Sequence, residues 1–281
     1  MEPPERERAT EAATSIAVGL GLGVDGAVLL HDSNKIALRL LPCDVFARVG
    51  PVEHAVASFE VELAQRLAAA GSPVAALEPR VEPRGYERDG FEVTFWTYYE
   101  VSGPHVAPDA YARALHQLHE GLRGVDLPTP HFTDRVDEAE AIVSDVDASP
   151  ELPDEDRELV LGRLRRLRAS IMARRAPEQP LHGEPHHGNI LGTRVGPRFI
   201  DLETCCRGPI ELDLAHVPTA VSDRYPGLDR TLLDDCRELV LAMVCAWRWD
   251  RGDQLPDGAA MGRKLVGLLR AGPPWMTLDE L

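Results

Sequence analysis

The apolar positions of the first hundred residues fall in short runs. Ala27–His31, Ile36–Leu41 and Val45–Val49 are each a few residues long and are separated by His-Asp-Ser-Asn and Pro-Cys-Asp, two turn-forming connections. That pattern predicts three strands in meandering hairpins. Glu53–Ala70 then places Val56, Phe59, Leu63 and Leu67 at helical intervals, with Gly71 as a natural stop. Phe91–Tyr99 (FEVTFWTYY) is aromatic and β-branched and predicts a further strand, giving the order β-β-β-α-β.

Beyond Val101 the periodicity changes to that of helices. Pro108–Leu122 carries Leu115, Leu118 and Leu122 on one face, and Glu158–Arg175 and Leu232–Trp249 are also amphipathic. Asp134–Glu158 holds 11 acids against two arginines and predicts a solvated helix and loop. Asn189–Val195 and Arg198–Glu203 predict a short β-hairpin turning at Gly196-Pro197. The expected division is a β-rich segment, residues 1–100, followed by a mainly helical one, residues 101–281.

Composition narrows the classes of function. Thirty basic against 46 acidic residues give a formal charge of −16, which disfavours nucleic-acid binding, since phosphates need a basic footprint. No apolar run is long enough for a membrane span, and the charged N-terminus lacks the order of a secretory signal. Five cysteines without a CxxC pair fit reduced thiols in a cytoplasmic protein. Only Lys35 and Lys264 are lysines, so chemistry that calls for lysine must use one of these or an arginine.

Candidate chemistry concentrates in residues 181–217, LHGEPHHGNILGTRVGPRFIDLETCCRGPIELDLAHV. Glu184, Asn189 and Asp201 are spaced so that a hairpin brings Asn189 and Asp201 to one end. An amide oxygen and a carboxylate there form a hard-oxygen pair suited to Mg²⁺. Glu184 is then a candidate proton acceptor for a substrate hydroxyl. A second reading takes His182, Glu184 and His186 as zinc ligands of a hydrolase, although Pro185 and two glycines argue against the regular strand that would align them. Cys205 and Cys206 read as ordinary thiols, and of Trp247 and Trp249, two apart on a helix, at most one can be core.

The string H-G-E-P-H-H-G-N, the Phe199-Ile200-Asp201 strand end and G-P-I-E-L-D-L-A together resemble the aminoglycoside phosphotransferase and choline kinase family. The resemblance implies an α+β, two-lobed protein-kinase-like fold: a small antiparallel β lobe with one helix, and a larger helical lobe, with nucleotide between them. It implies transfer of the γ-phosphoryl of ATP or GTP to a hydroxyl of a small molecule, such as an aminoglycoside or related cationic compound, or, alternatively, a nucleotide-binding pseudokinase. Residue by residue, Glu184 stands where the family usually has its aspartate base. Asn189 and Asp201 match the Mg²⁺ ligands, and His182 and Asp213 match structural supports of the loop. Ser33 and Asn34 resemble the phosphate-binding turn. Arg48 stands for the usual lysine, paired with Glu60, and Lys35 is a second candidate cation. Thr97, Tyr98 and Tyr99 fall in the adenine-binding hinge, Leu118-His119 in a packing pair, and Glu203 and Glu211 are candidate contacts for a cationic substrate. The oligomeric state is not readable from these features.

Overall fold

The computed structural model describes residues 1–33, 35–52, 57–103, 105–253, 255 and 257–280. The chain divides into two compact units: Met1–His105 with Leu191–Glu203, and Val106–Ile190 with Thr204–Leu281.

The first unit is built on an antiparallel five-stranded sheet. Its strands are β1 (Val24–Asp32), β2 (Ile36–Pro42), β3 (Val45–Pro51), β4 (Tyr86–Arg88) and β5 (Phe91–Thr97), in the order β1-β2-β3-β5-β4. Alternation along β2 and β3 buries Leu38, Leu40, Val45, Ala47 and Val49 on one face and turns Arg48 to the other. There Arg48 lies opposite Ala37 on β2 and Thr94 on β5. The buried face is covered by α1 (Pro3–Gly19) through Ala9, Ala12, Ala13 and Ala17, a helix the hydrophobic pattern did not announce. An alanine stripe has high helix propensity but little hydrophobic contrast with its charged flanks. Arg6 fastens this helix to Asp32 at 2.6 Å. After β3 comes α2 (Ala57–Ala69).

The segment following α2 recruits a distant hairpin into the first unit. Ala75 N donates to Phe199 O at 2.9 Å and Phe199 N to Pro73 O at 2.8 Å, while Ser102 N donates to Gly192 O at 2.7 Å. The hairpin strands are short: β7 (Ile190–Thr193) and β8 (Gly196–Phe199), following β6 (Gln179–Leu181). Two details differ from the pattern-based expectation. The turn is Arg194-Val195, with Gly196 at φ 100° opening β8. The second strand ends at Phe199 instead of Glu203, because Asp201 adopts φ 64° and Leu202–Thr204 closes into a 3₁₀ turn.

The second unit is helical. It contains α3 (Pro108–Arg123), α4 (Phe132–Ser144), α5 (Asp154–Arg174), α6 (Glu211–His216), α7 (Thr219–Ser222), α8 (Arg230–Arg248) and α9 (Gly258–Ala271). A two-stranded antiparallel ladder joins β6 to β9 (Cys206–Gly208). Helix α8 is central, burying Leu232, Leu239, Val240, Met243 and their neighbours against α4, α5, α6 and α9. In the acidic stretch, α4 buries Phe132, Val136, Ala139 and Val143 and leaves most carboxylates in solvent. Its two arginines are not solvated. Arg157 is buried and holds the Ser149 hydroxyl, Ser149 O and Leu152 O, while Arg135 enters the site described below. All five cysteines are free thiols. Among the described residues, no helix is long and apolar enough to cross a membrane.

Candidate functional site

Within the first unit, one arginine gathers three carboxylates. Arg48 Nη1 donates to Glu60 Oε1 at 2.8 Å and Nη2 donates to Asp201 Oδ1 at 2.7 Å, with Glu203 Oε1 at 3.3 Å. Glu60, 2% exposed, also accepts from Leu202 N at 3.1 Å, which ties α2 to the residue after Asp201. Burial disfavours the Arg48 cation, but Glu60, Asp201 and Glu203 together outweigh it and hold the guanidinium protonated. Lys35 Nζ pairs with Glu203 Oε2. The Ser33 hydroxyl and N–H both approach Lys35 O, at 3.2 and 3.1 Å. Asn34 lies outside the described residues.

The proposed hinge is also placed. Thr97 N donates to Ala76 O at 2.9 Å, the Tyr99 hydroxyl accepts from Ala76 N at 3.2 Å, and Arg39 lies 4.0 Å over the Tyr98 ring.

Within the second unit, the loop 182–189 is set by Asp213 beneath it. Asp213 is fully buried and its carboxylate accepts from His182 N and Gly183 N, both at 2.8 Å, and from His119 Nε2 at 2.9 Å. Burial raises the Asp213 carboxyl, but the His119 hydrogen bond and its other partners more than reverse this, so it lies below the usual range. An ionised carboxylate only accepts, so His119 donates from Nε2, and its Nδ1 lies 2.7 Å from the Tyr225 hydroxyl. His119 is thus a hydrogen-bonded strut and not packing alone. Gly183 is at φ 95°, and a Cβ there would run into Thr204 O, so this loop requires glycine.

Glu184 projects from that loop onto α4, where it forms an ion pair with Arg135. The Arg135 guanidinium lies 4.9 Å over the half-buried Trp247 ring and 3.4 Å from Gly183 O, so three groups fix it. Burial pushes the Glu184 carboxyl up; Arg135 first, then His216 and His186, pull it down further, below the ordinary glutamate range. Asn189 ends a 3₁₀ turn, and its Nδ2 donates to Glu184 O at 3.0 Å. That directs the NH₂ group back into the loop and leaves the amide oxygen as the remaining acceptor. Tyr111 supports the same loop by donating to Pro185 O. Glu211 is 6% exposed and accepts from Asp229 N at 3.2 Å, the capping arrangement and not an open substrate contact.

His216 is buried beside Glu184. Burial pushes its imidazole down to about 4, opposed by Glu184 and aided by Arg135. In the unfolded chain it titrates near 6.5, so between 6.5 and 4 the unfolded state binds a proton that the folded state does not. Stability is therefore full above this window and falls as pH drops through it. From pH 7 to pH 5 this one group is expected to remove about 2 kcal/mol. Urea unfolding of wild type and His216→Gln across that range checks it; equal pH slopes in the two proteins would place the loss elsewhere.

The geometry therefore gathers Arg48, Glu60, Asp201 and Glu203 in one unit, and His182, Glu184, Asn189 and Asp213 in the other. Sequence reasoning missed Arg135 and His216, and treated His119 as packing. Only the low lysine count pointed toward an arginine doing charge work. Each unit offers a hard oxygen of the kind Mg²⁺ takes: in the first the Asp201 carboxylate, and in the second the Asn189 amide oxygen left free by its Nδ2 bond. The zinc reading finds no support. Among the described residues no three or more His, Cys, Asp or Glu side chains gather as a metal requires, Glu184 is held by Arg135, and His186 Nδ1 accepts from Gly188 N at 3.0 Å.

A comparison with curated proteins finds no match. Solved structures similar to this chain include amicoumacin kinase hAmiN with AMP-PNP, Ca²⁺ and Ami, at 12% identity and TM-score 0.72, covering 98% of each chain. APH(2″)-IIIa with GDP and kanamycin is 15% identical at TM-score 0.70, over 92% of this chain and 98% of that one. A choline/ethanolamine kinase family protein from Mesorhizobium loti is 18% identical at TM-score 0.63, over 98% and 96%. The fold is accordingly the protein-kinase-like α+β fold expected from the sequence, with an antiparallel-sheet N-lobe and a helical C-lobe. The family model described as APH, phosphotransferase enzyme family, matches residues 28–253. With that match spanning most of its length, the chain belongs to the APH phosphotransferase enzyme family.

Proposed function

We propose that this protein is a small-molecule kinase that transfers the γ-phosphoryl group of ATP or GTP to an acceptor hydroxyl, working in the cytoplasm. The observation that carries the reading is Arg48 bridging Glu60 and Asp201 at 2.8 and 2.7 Å, a link that ties β3 and α2 to the carboxylate proposed to hold the metal. In this reading residues 1–100 take the nucleotide, with Ser33 and Asn34 at the phosphates and Thr97–Tyr99 at the base, and residues 101–281 take the acceptor. The AMP-PNP and GDP complexes of structurally similar proteins support a nucleotide co-substrate.

Asn189 and Asp201 would hold Mg²⁺, which when bound neutralises phosphate oxygens and aligns the transferring group. Glu184 receives and orients the acceptor hydroxyl. Its depressed pKa keeps it ionised at neutral pH and makes it a weak base. That suits a loose phosphoryl-transfer transition state, in which positioning matters more than early proton removal. The ion pair with Arg135 also accounts for glutamate at a place where the family usually has aspartate. Arg135 draws the longer side chain onto α4 and fixes its carboxylate. Glu203, two residues after Asp201, extends the acidic side of the site; a cationic acceptor such as kanamycin, seen in one similar structure, is the class to test first.

A nucleotide-consumption screen with Mg·ATP and Mg·GTP against aminoglycosides, other cationic antibiotics, amino alcohols and sugars tests the proposal. Acceptor-dependent release of nucleoside diphosphate, with a phosphorylated product by mass, is expected. Saturable nucleotide binding with no turnover on any hydroxylated compound would make it a pseudokinase instead.

A further inference from the structure

The strand position that normally carries the phosphate lysine holds Arg48, and the surroundings of that arginine leave it little freedom. Its fork is spent on Glu60, Asp201 and Glu203. Glu60 is buried, so releasing Arg48 toward a ligand would leave a buried carboxylate without its counter-charge, which is strongly unfavourable. Arg48 is an anchor: it joins β3, α2 and the Asp201 segment.

A second cation enters the same cluster from a different strand. Lys35 stands just before β2, directly after the turn containing Ser33, and its Nζ reaches Glu203. Its stem crosses β3 at Gly50. A Cβ at residue 50 would lie 2.9 Å from Lys35 Cγ and 3.3 Å from both Cδ and Cε. The absence of a side chain at 50 is what lets Lys35 lie inward, with its side chain 16% exposed. Gly50 has no left-handed backbone to explain it, and the space a side chain would take there is filled by the Lys35 stem. Glu203 also has Arg48 Nη2 at 3.3 Å, so it keeps a counter-charge when the Lys35 ammonium changes partners. A compact ammonium on four methylenes can swing from Glu203 to a phosphate oxygen without disturbing the Arg48 network, whereas an anchored planar fork cannot.

Resting on the kinase reading above, we infer that Lys35, and not Arg48, is the residue that contacts the terminal phosphates of the nucleotide. Gly50 is the positioning residue that admits it. The phosphate lysine has in effect moved from β3 to the start of β2, and Arg48 keeps only the structural half of the role.

The test is equilibrium binding of Mg·ATP and of AMP to wild type, Lys35→Met and Gly50→Ala, by calorimetry, with unfolding midpoints as a control for folding. If guanine is preferred, the pair becomes Mg·GTP and GMP. Lys35→Met is expected to weaken triphosphate binding by about tenfold to a hundredfold, the loss of one charge-assisted contact, and to leave monophosphate binding within about twofold. Gly50→Ala, which alters no charge, is expected to reproduce the direction of that split by displacing the lysine stem. Unchanged triphosphate affinity in Lys35→Met, or equal losses for both nucleotides, overturns the assignment while the kinase reading stands. Unchanged affinity in Gly50→Ala overturns the geometric half. A wild-type protein that binds neither nucleotide overturns the kinase reading and this assignment together.

Discussion

Asp201→Asn is expected to lower phosphoryl transfer by about a thousandfold, about 4 kcal/mol of transition-state stabilisation, while leaving the protein folded. The substitution removes the negative charge that the Arg48 fork uses and that the proposed divalent ion would use. It keeps the side-chain shape. Asparagine is the right replacement because residue 201 sits at φ 64°, a region that Asn, like Asp and His, enters several-fold more readily than most L-residues. Alanine would confound the result with backbone strain. The pair with Arg48 is partly exposed, with Asp201 at 30%, so its loss alone should move stability little. Steady-state rates with the acceptor found by the screen, alongside thermal unfolding, make the measurement. Near-normal turnover in a folded Asp201→Asn protein would remove the assigned metal ligand and the proposed mechanism with it.

Asp213→Ala is expected to have the largest effect on stability. Three buried donors, His182 N, Gly183 N and His119 Nε2, lose their common acceptor. Each unsatisfied buried donor costs about 1–3 kcal/mol, and relaxation shares some of that, so a loss of about 3–5 kcal/mol follows. That is a large part of the 5–15 kcal/mol typical of a folded domain. Asp213→Asn retains one acceptor and should fall between wild type and Ala. Urea midpoints compared at equal m-values decide the matter. A loss under about 1 kcal/mol in Asp213→Ala would mean the loop is held by other contacts, Tyr111 to Pro185 O being the next in line.

Much of the first unit was legible in the sequence because its strands alternate. Leu38 and Leu40 in β2, and Val45, Ala47 and Val49 in β3, fall on one face by parity alone, which also fixes the side on which Arg48 emerges. The intervals between Glu184, Asn189 and Asp201 were legible for a different reason: glycines and a proline restrict how the loop can run. Other elements gave weaker local signals. Helix α9 carries Gly258, Gly262 and Gly267, which lower its intrinsic helicity. Gly262 has a tertiary reason, since a Cβ there would lie 2.9 Å from Trp249 Nε1. Strands β6 and β9 are three residues each, too short for any periodicity to register.

Arg135 shows the deeper limit. It sits among 11 acids, where a local reading pairs it with a neighbour in solvent, yet its partner is Glu184, 49 residues away. Lys35 and Gly50 are the same case within one sheet: a lysine and a glycine with no periodic relation, made interdependent by the crossing of a stem. What the sequence by itself determined was the strands and helices with a clear apolar pattern, β1–β3, β5, α2, α3, α5 and α8, and which residue types are chemically able to hold phosphate and metal. Those follow from hydrophobic period, turn chemistry and donor chemistry, all local. Apart from Arg48 with Glu60, which the family resemblance already implied, which charges pair was decided only by tertiary structure, because an ion pair depends on distance and burial, and neither is a property of neighbouring letters.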